Sequence, residues 1–288
     1  MQSSAIGILG GSGLYEMDFA EDITQLEVQT PFGPPSSILT ECKIHGKRVV
    51  FLSRHGKGHR IAPHEINHRA NLWALKAAGI HWLICVTAVG SLREEFPPRH
   101  IVIPDQFLDR TRRHSSDTFF GEGIVAHVSM AEPTSHLLRH LLQEACTELG
   151  YPCTNGGTYV CMNGPAFSTR AESHFYRLIG GSVIGMTNFP EIKLARESEI
   201  AAATLAMVTD YDCWKEHEEP VTAEMVLSHL NANVAAAREI LSRAIQKIPL
   251  EANDPAHSAL DNAIITPKEF WPEQTKDKLS LLLSRFHN

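Results

Sequence analysis

Six short apolar or β-branched runs, set among segments of helical spacing, restrict this chain to a narrow set of folds. The runs are VVFLSRH (49–55), HWLICVTAVGS (81–91), HIVIPDQFLD (100–109), TYVCMNGP (158–165), SVIGMT (182–187) and LAMVTDYD (205–212), and each closes on polar residues. HEINHRANLWALKAAG (64–79) and SHLLRHLLQEACTELG (135–150) carry apolar residues at a period of about 3.6 and end in glycine, which predicts helices. A third helix is expected over 223–248. Strand and helix alternate without repeat, low-complexity tract or linker, the pattern of one α/β domain. Residues 1–250 form its body, and 251–288 form a tail in which DKLSLLLSRF (277–286) supplies a short helix completing the same domain.

One further run, IGILGGSGLY (6–15), breaks into three glycines around one serine. Glycine admits positive φ and close approach, so a strand ending in Gly10-Gly11-Ser12-Gly13 can form a nest of N–H groups for an anion such as phosphate. A plain strand-to-loop turn is the alternative. Gly11-x-Gly13 lacks the third glycine of a dinucleotide fingerprint, and no Gly-Lys-Ser/Thr ending makes a P-loop. Leu14 stands where a nucleophile elbow needs glycine.

With 288 residues, 43% hydrophobic and 20% charged, the chain can bury a large core. Its formal net charge of −7 argues against nucleic acid as a partner, while leaving room for a local positive pocket that holds a small anion. The six cysteines, at 42, 85, 146, 153, 161 and 213, form no C-x-x-C pair and are expected as reduced, packed thiols of a cytoplasmic protein. No apolar run approaches the roughly 18 residues of a membrane span, and no basic region precedes the first apolar stretch.

Ligands of open α/β sheets gather beyond the carboxyl ends of strands. Ser12, Arg54, His55, Thr87, Ala88, Thr187, Asp210 and Asp212 all occupy such ends. A single polar strand end is ordinary termination. A serine in a glycine nest, an arginine, a histidine and two threonines can together supply donors to one phosphate without a metal. Asp210 and Asp212, one residue apart, are expected to face the same way along a strand and to meet a nitrogen-rich ligand. A competing motif, His64-Glu65-Ile66-Asn67-His68, matches the H-E-x-x-H of zinc hydrolases. Against it, Pro63 puts His64 in the first turn of a helix and no third ligand follows at the needed spacing, so the segment reads as the exposed start of an amphipathic helix.

GILGGSGLY, TPFGPPS, RHGKGHRIAPHEINHRANLWALK, TAVGSLRE, VIPDQFLDRT, VAHVSMAEP, GPAFSTRAE, GMTNFPEIKLARE and MVTDYDCWKEHEEPV follow one another between residues 5 and 248. In that order and spacing they resemble the trimeric purine nucleoside phosphorylases, on their 5'-methylthioadenosine phosphorylase branch. The resemblance implies a single-domain α/β fold of the purine nucleoside phosphorylase type, a twisted mixed central β-sheet surrounded by helices. It implies phosphate-dependent cleavage of 5'-methylthioadenosine to adenine and 5-methylthioribose 1-phosphate, in purine and methionine salvage. It also implies no metal and no organic cofactor, phosphate being a co-substrate, and a homotrimer or dimer of trimers with no nucleic-acid or membrane partner.

By the same resemblance Ser12, Arg54, His55, Thr87, Ala88 and Thr187 bind phosphate. Met186 contacts the ribose, Phe167 and Ser168 hold the base, and Asp210 and Asp212 are the catalytic acids at an adenine-type edge. His127 comes from a neighbouring subunit to the 5' substituent, and Val226 and Leu227 line the methylthio pocket, with the apolar LSLLL of the tail as a further lining. Breaking a ribosyl bond develops positive charge on the sugar, as in other glycosyl transfers, and negative charge on the purine. Bound phosphate offsets the first, and a proton from Asp210 at N7 offsets the second.

Departures from the branch pattern are Asn163 for a glutamate, Ala166 for an arginine, and Asn188 after Met186-Thr187. An amide at 188 can donate to a 6-oxopurine whereas a carboxylate suits a 6-amino group, so a methylthioinosine or 6-oxopurine nucleoside phosphorylase is the alternative. A nucleoside-binding protein without catalysis is the reading from a different class.

Overall fold

Strand β1 (Ala5–Gly10) sends Ile6 and Ile8 into one apolar cluster and Ala5 and Leu9 into another, and none of the four is more than 1% exposed. A strand covered on both faces reads as a continuous apolar run rather than an alternation. The computed structural model describes residues 4–11, 14, 20–111, 117–215 and 223–286, leaving out the side chains of 223–232. Along it run β2 (Glu21–Leu26), β3 (Leu39–Ile44), β4 (Lys47–Ser53), β5 (Ile80–Ser91), β6 (Ile101–Ile103), β7 (Gln106–Asp109), β8 (Cys153–Asn155), β9 (Thr158–Cys161), β10 (Gly181–Gly185) and β11 (Ala201–Asp210).

These strands form a mixed sheet in the order β2-β3-β4-β1-β5-β10-β9-β7, with a branch from β5 through β11 and β6 to β8. The twelve-residue β5 is the junction. It pairs parallel to β1 over its first half, parallel to β11 from Trp82 to Gly90, and antiparallel to β10 at Gly90 and Ser91. The expected run 100–109 is two strands rather than one, because Pro104-Asp105 interrupts it and the halves join different arms, β6 to β11 and β7 to β9.

Helices cover both faces. α2 (His136–Leu149) and α5 (Ala223–Lys247) lie against Ile6, Ile8, Trp82 and Leu205. α1 (His68–Ala77) and α4 (Asn188–Glu197) lie against Leu9, Leu83 and Cys85. α3 (Arg170–Leu178) begins at a Thr169–Glu172 capping box. α2 starts under a Ser135 cap and ends at Gly150, whose φ of 76° is the left-handed closure glycine accepts. The predicted helix over 64–79 starts late: Ile66 is extended, Asn67 caps α1, and Pro63–Glu65 is a separate 3-10 turn. The expected fold class, a mixed sheet surrounded by helices, is what the chain adopts.

The tail is part of the core on the α1–α4 face. α6 (Glu273–Lys278) and α7 (Ser280–Leu283) bring Leu279, Leu282 and Leu283, with Leu260, Ala263 and Trp271, into the cluster that holds Trp73 and Phe119. This corrects the expectation for LSLLL. Its leucines at 279, 282 and 283 are at most 4% exposed within their own chain, so they cannot line a neighbour's pocket. Leu283→Ala should therefore lower stability by about 2–5 kcal/mol, as deletion of a buried leucine does. Urea unfolding checks this, and a variant as stable as the parent would place the tail outside the core.

Candidate functional site

The phosphate-site candidates converge at one edge of the sheet because their strands are neighbours in register. Gly10 at the end of β1 pairs with Ser53 at the end of β4, and the Arg54 N–H donates to the Gly10 carbonyl at 2.9 Å. Thr87 and Ala88 lie on β5 opposite Ala206 and Met207 of β11. Thr187 follows β10 as the N-cap of α4. Asn67, Ser135 and Thr169 spend their side chains capping their helices. Thr187 makes no side-chain cap bond, which leaves its hydroxyl and the first N–H groups of α4 for another acceptor. Ser12 and its neighbour Gly13 lie outside the described residues, so the nest expected there has no geometry.

Arg54 is 2% exposed and Glu191, on α4, is wholly buried. The guanidinium grips the carboxylate with two bonds, Nε to Oε1 and Nη2 to Oε2, the second at 2.8 Å. It also donates to the Val86 carbonyl at 2.9 Å and the Leu9 carbonyl at 3.2 Å, so one side chain ties β1, β5 and α4 together. Burial opposes its charge, and the Glu191 carboxylate more than restores it, raising its proton affinity overall. Glu191 further accepts from the Asn188 amide at 3.2 Å, and the Asn188 oxygen accepts from Thr204 at 2.6 Å. Asn188 is wholly buried and its amide is engaged in this frame.

His55, next along, points Nδ1 at the Ile61 carbonyl at 2.8 Å, so Nδ1 carries the proton, and the ring stacks on His59 at 4.2 Å. Burial first and the Arg54 charge second push its pKa down to about 4. The imidazole is neutral at physiological pH.

The base-side candidates sit further along β5. Asp210 pairs with Gly90, three residues past Thr87, or about 10 Å at strand rise. That is enough to place a sugar between an anion and a base. Contrary to expectation, the two acids do not face the same way along one strand. Asp210 ends β11, and Asp212 lies beyond it at φ 50°, turned back so that its N–H donates to Asp210 Oδ1 at 2.7 Å. The other Asp210 oxygen accepts from Thr209 at 2.7 Å. Gly90 makes this possible, since a Cβ there would sit 3.0 Å from Asp210 Oδ1 and 3.3 Å from Asp212 Cβ.

Burial, opposed by the Ser173 hydroxyl and reinforced by the Asp210 charge, raises the Asp212 pKa. The Ser168 hydroxyl also faces Asp212, and the Ser168 carbonyl accepts from Cys213 Sγ at 3.1 Å. Gly164, on the same loop, lies against Met186, whose sulfur a Cβ at 164 would overlap. Phe167, at the loop's crest, is 48% exposed. Phosphate-side and base-side groups therefore share one strand, β5, and one edge of the sheet.

The whole chain is similar to known proteins. Residues 5–246 match the model of the phosphorylase superfamily. The chain belongs to the phosphorylase superfamily. It is 50% identical over 281 residues, 98% of each chain, to the S-methyl-5'-thioadenosine phosphorylase of Geobacter sulfurreducens. Its structure superposes with a TM-score of 0.93 and 44% identity on a methylthioadenosine phosphorylase from an antarctic soil metagenomic library, over 98% of this chain and 100% of that one. The methylthioadenosine phosphorylase of Schistosoma mansoni, solved with adenine, gives 0.81 and 36%, over 98% of each chain.

Within this phosphorylase chain some expected residues fall away from the strand edge. His127 is exposed and lines a surface hollow with Ser129, Glu132, Arg196 and Asn262, none of which belongs to the group around Arg54 and Asp210. Val226 and Leu227 lie in α5, with side chains outside the description. His64 and His68 do not share a helix: His64 is exposed in the 3-10 turn, and buried His68 has Nδ1 3.8 Å from Glu191. Glu191 is the site residue that sequence reasoning missed. In NFPEIKLARE it looks like an ordinary first-turn acid, and nothing local tells that it pairs with Arg54.

The unfolded chain protonates His55 near pH 6.5 and the folded chain only near 4, so this residue costs stability as pH falls through that window. His55→Gln should lose less stability between pH 7 and pH 5 than the parent in urea unfolding. Equal losses would contradict the assignment.

Proposed function

We propose that this chain cleaves 5'-methylthioadenosine with inorganic phosphate, giving adenine and 5-methylthioribose 1-phosphate. The likeness at 50% identity to a phosphorylase of that name, over 98% of both chains, carries the reading. The geometry supports it with a chemistry for each half of the reaction.

Phosphate is held by the hydroxyls of Thr87 and Thr187, the N–H of Ala88, the α4 N-terminus and Ser12. Four of the five Arg54 N–H groups are committed to Glu191, Val86 and Leu9, so Arg54 chiefly sets the frame and supplies at most one donor. Neutral His55 offers its Nε2 lone pair to a protonated phosphate oxygen. The anion, fixed against C1' of the ribose, is the nucleophile and offsets the charge developing on the sugar.

On the other side the purine leaves with extra negative charge. The Asp210–Asp212 pair, with burial and mutual repulsion raising Asp212, retains a proton more readily than a solvated carboxylate does. It delivers that proton to N7 through Asp210. Phe167, Ser168 and Met186 hold base and ribose. Adenine is preferred to a 6-oxopurine, because the Asn188 amide that would read an oxo group is engaged by Glu191 and Thr204.

No metal enters this scheme. The protein is cytoplasmic and works as a homotrimer or dimer of trimers, in which exposed His127 of one subunit completes the 5' pocket of the next beside Val226 and Leu227.

Adenine release from methylthioadenosine should depend on phosphate and be indifferent to a chelator. Release without phosphate marks a hydrolase, and binding without turnover marks a nucleoside-binding protein. Asp210→Asn should lower kcat on the order of 10²-fold with a smaller effect on KM, and near-normal turnover would assign purine activation to another group. His127→Ala should change the preference for methylthioadenosine over adenosine more than it changes the phosphate KM. Sedimentation showing a fully active monomer would refute the shared pocket.

A further inference from the structure

Tyr159 on β9 is wholly buried, yet its hydroxyl has no hydrogen bond of good geometry among the described residues. Buried tyrosine hydroxyls usually find a partner. The ring stands beside Phe107 at 5.7 Å and passes over β10 where Gly185 has no side chain. A Cβ at 185 would lie 2.7 Å from Tyr159 Cζ and overlap the hydroxyl oxygen. Crossing β10 there carries the hydroxyl to β5, where the Thr87 hydroxyl, Arg54 and Glu191 all act on it. The Thr87 hydroxyl stands beside it, and Thr87 directs its own proton to the Ala88 carbonyl at 3.2 Å, which leaves its oxygen lone pairs to accept. Burial holds the phenol strongly in its neutral, proton-donating form.

We infer that Tyr159 is a positioning residue for the phosphate site, its hydroxyl donating to the Thr87 oxygen while Thr87 turns its own proton from the Ala88 carbonyl to a phosphate oxygen. The inference rests on the proposed phosphate site and deepens it. A threonine hydroxyl has one proton and accepts as well as donates, so a donor behind it leaves its proton free to face the anion. Gly185 is the residue that lets the donor reach across the intervening strand.

Tyr159→Phe removes the hydroxyl and leaves the ring. It should raise the KM for phosphate roughly five- to tenfold, the worth of one hydrogen bond, with the KM for methylthioadenosine within about twofold of the parent. The melting temperature should not fall, since an unpaired buried group has been removed. A second readout needs no turnover. The rise in melting temperature caused by inorganic phosphate should shrink in Tyr159→Phe and in Thr87→Val, and the double variant should match Thr87→Val alone, because Tyr159 acts through Thr87.

An unchanged phosphate KM in Tyr159→Phe, a parallel change in both KM values, or additive losses in the double variant would overturn the inference while leaving phosphorolysis in place. A parent enzyme whose adenine release ignores phosphate would overturn the proposed function and the inference together.

Discussion

The buried pair of Arg54 and Glu191 is the interaction on which the candidate site depends. An isolated buried charge is very costly, and breaking such a pair by removing one partner typically costs about 3–5 kcal/mol. The structure satisfies the arginine twice by the carboxylate and twice by carbonyls of β1 and β5. Those partners fix the ends of two strands against the first turn of α4. The uncapped Thr187 and the Thr87–Ala88 stretch are thereby held at one edge before any ligand arrives, and pre-set donors of this kind need little reorganisation during reaction.

Glycine has a specific use at two places on this edge. At Gly90 it gives the paired acids room beside β5, and at Gly185 it lets a tyrosine ring cross a strand. Both are positions where a backbone must be approached closely. β5 links the two, because its antiparallel contact with β10 begins at Gly90 and its parallel contact with β11 ends there. The branched sheet thus puts the candidate anion donors at Thr87 and Ala88 about 10 Å along β5 from the paired acids.

How much of this was readable in advance depended on how local the signal was. Arg54, Thr187 and Asp210 are legible because apolar runs covered on both faces stop abruptly at polar residues, whereas Thr87 and Ala88, expected at a strand end, lie inside β5, which runs on to Ser91. The edge strand β2 was invisible, since EDITQL is exposed along nearly its whole length and carries no apolar pattern. α4 was missed as well: it has Pro190 in its first turn and buries Asn188, Glu191 and Glu197, so it shows no apolar stripe. Its position after Met186-Thr187 makes Asn188 look like a base contact, whereas its bonds to Glu191 and Thr204 are one helical turn away or long-range. Asp210 and Asp212 were paired correctly by proximity, but by a left-handed turn that strand alternation does not anticipate.

A crystal structure of the protein with phosphate and a non-cleavable methylthioadenosine analogue tests the central claim most directly. The account predicts an anion between the hydroxyls of Thr87 and Thr187 at the N-terminus of α4, with Arg54 still gripping Glu191, and the purine N7 beside Asp210. An anion bound elsewhere, or an Arg54 side chain released from Glu191 to hold it, would contradict the account.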